Sequence, residues 1–513
     1  MLDYISGADN LKDFYKYPVT IEGVLASIEA RKNFSTNRQL LVSELKQQYK
    51  SVFPSEKVNN HIELLLNDNT FTICTAHQPN IFTGHLYFIY KILHTIRLAS
   101  YLNQQLPENS FVPVYYMGSE DADLEELGHI FLNDEKLEWS TNQTGAVGRM
   151  IVDEEFLALI ENIHGRLSFL PFGSQLTDIL KEAYQKGTTV ELSTFKLVHS
   201  LFERYGLVIL LPDNRSFKIQ MIPVFKEDLF VNTPAKIVEN SAALLSKHYP
   251  VQATARDINL FYMAQGIRNR IIKSQDRYLV KDTNLSFSEA DFKKELNDHP
   301  ERFSPNVILR GLMQETILPN ITFIGGGGEL AYWLELKTLF EYYKIPFPML
   351  VLRNSFVYID QLAAELMVKN KLSVKDIFKS VGILMSTVTK SHTRLKLSLA
   401  EEKAALQDLY TNIHTAAAAI DHSLGDHVSS LLANSLKKIV ILENKMLRAE
   451  KSKYQAEERQ LTKIHKLLFP GNHLQERIDN FMPYYAQYGD AFFDEIYHAS
   501  NTLEQKFTAI LKK

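Results

Sequence analysis

Apolar and polar positions alternate between two periods along this chain. Phe71–Ala76 (FTICTA) is short and β-prone, and after it Leu86, Ile89, Tyr90, Leu93 and Ile96 recur at helical spacing. Between strand and helix lies TAHQPNIFTGHLYFIYK, Thr75–Lys91, a polar loop with two histidines and a glycine. The pattern repeats downstream. Val112–Met117 predicts a buried strand that ends in the polar cluster Gly118–Asp123. Ile321–Ile324 predicts another, followed by Gly325–Gly328 and a helix with apolar Leu330, Trp333, Leu334, Leu336, Leu339 and Phe340. Gly206–Leu211 (GLVILL) and Met349–Leu352 are continuous apolar runs of the kind found in parallel sheets, and GLVILL predicts a central strand. Strands alternating with helices predict an α/β fold with a parallel, Rossmann-like sheet.

The first 70 residues predict helices, with Ile21, Val24, Leu25 and Ile28 on one face and Leu41, Leu45 and Tyr49 on another; Asn59-Asn60 predicts a helix start. Residues 131–150 predict a hairpin and Asp276–Ser288 strand and turn. From about Ser391 the spacing changes. Leu399, Leu406, Leu409, Ile413, Ala416 and Ile420, then Leu432, Ser435, Ile439, Leu442, Met446 and Ala449, follow coiled-coil seam spacing. Gly425 and Asp426 are cap candidates between two antiparallel helices of about 30–40 residues, an arm of roughly 45–60 Å. Pro470-Gly471 ends it, and the aromatic tail (Phe481, Tyr484, Tyr485, Tyr488, Phe492, Phe493) predicts docking onto the core. The expected organisation is a Rossmann-like core with helical insertions over 1–390, a coiled-coil arm over 391–465 and a C-terminal segment over 466–513.

Composition narrows the function classes. A chain of 513 residues, 45% hydrophobic and 23% charged, is an ordinary globular protein. A net charge of −4 advertises neither nucleic acid nor an anionic membrane. The acidic N-terminus does not resemble a signal peptide and no run of about 18 apolar residues occurs, so a cytoplasmic enzyme is the expectation. The single cysteine, Cys74, excludes intrachain disulfides and a cysteine-cluster zinc site; inside its strand it reads as a small buried hydrophobe.

Candidate chemistry gathers at the predicted strand ends. His77 and His85 flank a loop at a helix start, where they could stabilise phosphate oxygens; hydrogen bonding to backbone is the equal alternative. Gln78, Thr83, Gly84 and Lys91 would help such a cradle, unless Lys91 is a solvated surface residue. Glu120, Asp121 and Asp123 could hold Mg²⁺ or a substrate amine, or merely favour a helix N-terminus. Four glycines, Gly325, Gly326, Gly327 and Gly328, would permit positive φ and close backbone approach to a ligand. They form neither a Walker A nor a full dinucleotide fingerprint. Glu329 could cap the helix or contact substrate. Arg149 and Arg310 are anion-binding candidates, with ion pairing the alternative.

Taken together, HQPNIFTGHLYFIYK, VYYMGSEDADLEELGHI, GAVGRM, FSPNVILRGLMQETILPNITFIGGGGELAYWLELK and PFPMLVLRNSF resemble the bacillithiol biosynthesis cysteine-adding enzyme family, BshC, from about Phe14 to the C-terminus. The resemblance implies a nucleotidyltransferase-like Rossmann core with a dimerising coiled-coil arm. It implies a carbon–nitrogen bond-forming ligase that adds L-cysteine to glucosaminyl malate in the last step of bacillithiol synthesis. ATP with Mg²⁺ would activate the carboxylate, and no zinc is expected. His77 and His85 would act on phosphate charge. The glycine loop would carry the nucleotide or the substrate, and Asn354 and Ser355 would help hold the nucleotide. Glu120, Asp121, Asp123, Arg149, Arg310 and Glu329 would face substrate. The small molecules and a second copy of the chain would be the partners, with neither nucleic acid nor membrane. Two other classes remain open: a coiled-coil scaffold of thiol synthesis with a degenerate nucleotide fold, and a nucleotidyltransferase acting on another small molecule.

Overall fold

The computed structural model describes residues 1–393 and 395–512. Five strands form its main sheet: β1 Thr70–His77, β2 Ser110–Met117, β3 Val208–Leu210, β4 Asn320–Gly325 and β5 Met349–Leu352. Their spatial order is β3-β2-β1-β4-β5, and every neighbouring pair is parallel. The chain works outward on one side of β1, then returns to its other side. That reversal puts a topological switch point between β1 and β4, where open α/β sheets bind ligands beyond the strand C-termini.

The sheet is covered on both faces, which is why its strands are apolar throughout. Phe71 and Ile73 of β1, Ile321 and Ile324 of β4, and Val351 of β5 pack with Val24 and Ile28 from the helix Ile21–Lys32 and Leu98 and Leu102 from α1, Leu86–Gln105. Leu25, expected on the same face as Val24, is exposed. Arg31 on that first helix pairs with Glu315 at 2.6 Å, both side chains buried, and so pins the helix beneath β4. GLVILL supplies β3, an edge strand rather than a central one. Its far side is closed by side chains: Tyr49 Oη accepts from Ile209 N–H, and Gln48 bonds Ile209 and Leu211. The helix expected at Asn59-Asn60 begins at Glu56, where Ser55 caps it. A second, antiparallel sheet occupies 260–305, and the hairpin at 129–138 forms as expected.

Two compact units emerge. The first is Met1–Phe356 with Glu476–Thr508, and the second is Val357–Gln475 with the stretch from Ala509. The division falls at Phe356, earlier than the compositional change at Ser391. The helices Gln361–Lys369 and Val381–His392 bury Met367, Leu384 and Val388 against Leu461, Ile464 and Leu468 of the helix Gln455–Leu468, which draws them into the second unit. That unit also holds the hairpin of α2, Ala400–Ala418, and α3, His422–Lys451. These helices have 19 and 30 residues: the first is shorter than the sequence spacing suggests, and the second falls within it. Asp421, not Asp426, caps α3, and Gly425 lies inside it: a Cβ there would stand 3.0 Å from the His414 ring. Leu399 N–H to Glu443 and Tyr410 to Ser435 fix the antiparallel register. Leu409, Ile413, Ile420 and Leu442, expected in the seam, are exposed.

Candidate active site

Four strands of the main sheet end on one cavity of about 670 Å³, within the size range of small-molecule sites. β1 contributes His77 and Gln78, and β2 leads to Gly118 and Asp121. β4 leads to Gly326–Glu329, and β5 leads to Arg353. All belong to the first unit. The three motifs at the strand ends therefore do share one sheet edge.

The loop after β1 is built to hold its shape. Phe82, Thr83 and Gly84 run through positive φ of 49°, 68° and 66° in succession. Only glycine fits the last: a Cβ on Gly84 would stand 2.9 Å from Asn80. Such a path is strained and persists only where its surroundings impose it. Here the Asn480 amide donates to Phe82 O and Gly84 O at 2.9 and 2.5 Å. Thr83 and Gly84 thus shape the loop from beneath and do not line the cavity. His85 is not among the lining residues either. As the residue before α1, its Nδ1 lies 3.1 Å from Ile478 O, the backbone-bonded arrangement.

His77 does line the cavity, and its buried Nε2 has no hydrogen-bond partner. Burial, reinforced by the charges of Lys91 and Arg353, pushes its pKa well below the usual imidazole range. It is a neutral hydrogen-bonding group and not a cation. Lys91, on α1, is fully buried; it donates to Ala76 O and pairs with both Glu329 oxygens, at 2.9 and 2.7 Å. Glu329 Oε2 in turn accepts from Gly326 N–H at 2.7 Å, closing the first turn of the short helix Gly327–Trp333. The four glycines do not use positive φ. Gly325 ends β4, where a Cβ would meet the Phe323 ring at 2.8 Å, while Gly328 has open space beside it. Close packing explains the first and access to the cavity the last.

The acidic cluster after β2 separates into three environments. Asp121 lines the cavity beneath Arg310 at 2.5 Å and Arg268 at 3.3 Å. Burial alone would raise its pKa, but the two guanidiniums outweigh that and hold it below the ordinary carboxylate range. Glu120 points away into a buried network with Lys218, Asp213 and Arg149. Burial raises its pKa and Lys218 opposes the rise. In the same network Glu191, hydrogen-bonded to Ser119, is pushed up to about 8 by burial and by Asp213. Asp123 caps the turn Leu124–Leu127 by accepting from Glu126 N–H. Arg149 forks onto Asp213 at 2.7 and 2.8 Å and is absent from the cavity wall. Asn354 and Ser355 are turned from it as well: Asn354 bonds His94 and Asn501, and Ser355 bonds Glu476.

Several lining residues had escaped the sequence reading. Arg256 and Arg268 come from the antiparallel sheet region, Arg477 from the returning C-terminal segment, and Tyr87 and Glu126 from the starts of helices. Arg353 pairs with Glu476 at 2.7 Å and stacks 5.2 Å from the Tyr87 ring centroid. Five arginines (Arg256, Arg268, Arg310, Arg353 and Arg477) therefore face a cavity with three carboxylates of its own, Asp121, Glu126 and Glu329. Such a wall favours anionic ligands.

Family profiles decide the relationship. The profile described as the bacillithiol biosynthesis BshC N-terminal Rossmann-like domain matches residues 1–354, and that of the BshC C-terminal coiled-coil domain matches 356–511. The chain belongs to the BshC family. It is 37% identical to a protein of Flavobacterium psychrophilum and 37% identical to one of Flavobacterium johnsoniae, each alignment covering 99% of this chain and 96% of the relative. A protein of Christiangramia forsetii is 35% identical, over 99% of this chain and 95% of its own length. All three carry the name "Putative cysteine ligase BshC". The resemblance drawn from the sequence motifs is thus borne out over both domains, as is the Rossmann-like core with a coiled-coil hairpin. BshC relatives are named as ligases, an enzyme class that a cation-lined cavity at a switch point suits.

Proposed function

We propose that this chain joins the carboxylate of L-cysteine to the amine of glucosaminyl malate, the last step of bacillithiol synthesis, and that ATP activates the carboxylate. The observation that carries this reading is the excess of arginine over carboxylate in the switch-point cavity. Both the nucleotide and the malate-bearing acceptor are polyanions. Carboxylate and amine do not condense unaided in water, so the carboxylate must gain a leaving group. Its oxygen attacks the α-phosphorus of ATP, releasing pyrophosphate. The amine then attacks the acyl carbon, AMP leaves with the bonding electron pair, and the nitrogen loses a proton.

The residues suit these roles unevenly. Gly326–Gly328 let a phosphate chain approach backbone without side-chain obstruction. His77, neutral and with a free Nε2, would hydrogen-bond a phosphoryl oxygen rather than pair with it as a cation. Glu120, Asp121 and Asp123 are each already engaged. Mg²⁺ would therefore ride mainly on the phosphates, as it commonly does. Pairing of two copies through the coiled-coil hairpin is supported by exposed Leu409, Ile413, Leu431, Val440 and Ile441. No helix among the described residues is long and apolar enough to cross a membrane. We place the enzyme in the cytoplasm, where its substrates and ATP occur together.

The test is direct. The purified chain, given L-cysteine, glucosaminyl malate and MgATP, should form bacillithiol, detected by mass spectrometry. No product with ATP or any other nucleotide would contradict the reading, and a nucleotidylated small molecule instead would favour another transferase.

A further inference from the structure

Charge pairing inside the cavity leaves a specific remainder. Asp121 is neutralised by Arg268 and Arg310, Glu329 by Lys91, and Arg353 by Glu476. Among the described residues Glu126, Arg256 and Arg477 line the cavity with no side-chain hydrogen bond or ion pair of their own. Tyr87 stands among them. Its ring contacts those of His77 and His85 at centroid distances of 5.4 and 5.8 Å and the Arg353 guanidinium at 5.2 Å, and its hydroxyl carries no hydrogen bond. After burial, the charges that act on this phenol are those of Glu329, Glu126, Arg353 and Arg477. An unpaired carboxylate and an unpaired guanidinium of the same cavity thus both act on one free hydroxyl.

We propose that Glu126, Tyr87 and Arg477 form the subsite for an amino-acid zwitterion, with Glu126 taking the α-ammonium and Arg477 the carboxylate. This rests on the ligase reading and specifies where its amino acid sits. The carboxylate is the group to be activated, and Arg477 would hold it beside Arg353, on the same wall as Gly326–Gly328. Arg256, the other unpaired arginine of the cavity, is left for the anionic part of the acceptor. The sequence motif had offered Glu120, Asp121 or Asp123 for the amine. Each of those is engaged, whereas Glu126 is free. Partial burial, with Asp123 and Asp121 nearby, also raises its pKa, a cost that an arriving ammonium would relieve.

Calorimetric titration of the full chain tests this without turnover. Four probes suffice: L-cysteine, cysteamine (no carboxylate), 3-mercaptopropionate (no ammonium) and D-glucosamine (an amine of the acceptor type). Cysteine should bind, and each truncated thiol about tenfold or more weakly, the loss expected when one charged contact is missing. Glu126→Gln should weaken cysteine to the level of 3-mercaptopropionate while leaving 3-mercaptopropionate unchanged. Arg477→Gln should do the same with respect to cysteamine. Both side chains are exposed at the cavity, and circular dichroism checks that the variants fold. The proposal is overturned if cysteine fails to bind the wild type, if Glu126→Gln leaves its affinity within about twofold, or if that variant loses glucosamine affinity instead. A chain that binds cysteine through Glu126 yet forms no amide would keep the subsite and lose the ligase reading, so the two fail separately.

Discussion

Lys91 Nζ and the Glu329 carboxylate lie 2.7 Å apart although 238 residues separate them in sequence. The pair ties α1, which follows β1, to the turn after β4, across the point where the sheet reverses direction. Its lysine is 1% exposed and its glutamate 29%. Removing the cation leaves Ala76 O without its lysine donor and Glu329 with only the Gly326 N–H. Lys91→Met should cost about 2–3 kcal/mol, somewhat less than the roughly 3–5 of a fully buried broken pair because Glu329 reaches solvent. The double variant Lys91→Met/Glu329→Gln should recover part of the loss. Urea unfolding of the three proteins reads this, and equal stability of wild type and single variant would contradict it.

How far the site is legible in sequence depends on this geometry. His77, Gln78, Asp121, Arg310, Gly326–Gly328 and Glu329 could be named in advance because most of them follow a strand, and a parallel sheet brings such positions to one edge. Lys91 could not be placed: seen alone, a lysine in an amphipathic helix belongs to the solvated face, and only Glu329 makes its burial tolerable. Arg268, Arg477 and Tyr87 reach the cavity through long-range packing that no local period encodes. GLVILL read as central because it is apolar on both faces, but Tyr49, which with Gln48 covers its outer side, lies 160 positions away from Ile209. Leu409, Ile413, Ile420 and Leu442 were misassigned to the hairpin seam for a related reason, whereas Leu406, Leu432, Ser435, Ile439 and Met446 are half-buried as the spacing predicts. Heptad spacing marks apolar stripes without saying which stripe faces the other helix and which is left exposed.

Gly328 separates folding from binding. A Cβ there would enter open space, and alanine is favoured over glycine in a helix by up to about 1 kcal/mol. Gly328→Ala should therefore fold at least as stably as the wild type. If a phosphate chain lies against this backbone, the variant's affinity for MgATP should fall about tenfold or more, a loss of roughly 1.4 kcal/mol. Unchanged nucleotide affinity would remove Gly328 from the binding surface.

His94 gives the fold an acid-sensitive point. Its Nδ1 accepts from Asn354 N–H at 3.2 Å and Nε2 lies 2.9 Å from Thr502 O, an arrangement that requires the neutral ring. Burial pulls its pKa from 6.5 down to about 4. Between those values the unfolded chain binds the proton and the folded chain does not, so stability falls as pH falls. The contribution, at most about 3 kcal/mol, is fully present above pH 6.5 and lost toward pH 4. Whatever its stability at pH 7.5, His94→Gln should show a shallower decline across that window in urea titrations. A slope identical to the wild type would contradict the assignment.

For the hairpin, the useful deletion is residues 400–445 closed by a short Gly-Ser linker. A wider cut into the helix Gln455–Leu468 would strip Leu461 from the core of the second unit. If exposed Leu409, Ile413, Leu431 and Ile441 pair two copies, light scattering should find a dimer before the deletion and a monomer after it. A persistent dimer would put the interface elsewhere.

In the proposed reaction the switch-point cavity activates the carboxylate of cysteine by nucleotidyl transfer. L-Cysteine labelled with ¹⁸O in its carboxylate, incubated with the enzyme, glucosaminyl malate and MgATP, follows the oxygen itself. One labelled oxygen is expected in AMP for each amide formed. Label in inorganic phosphate, with ADP as the other product, would contradict it.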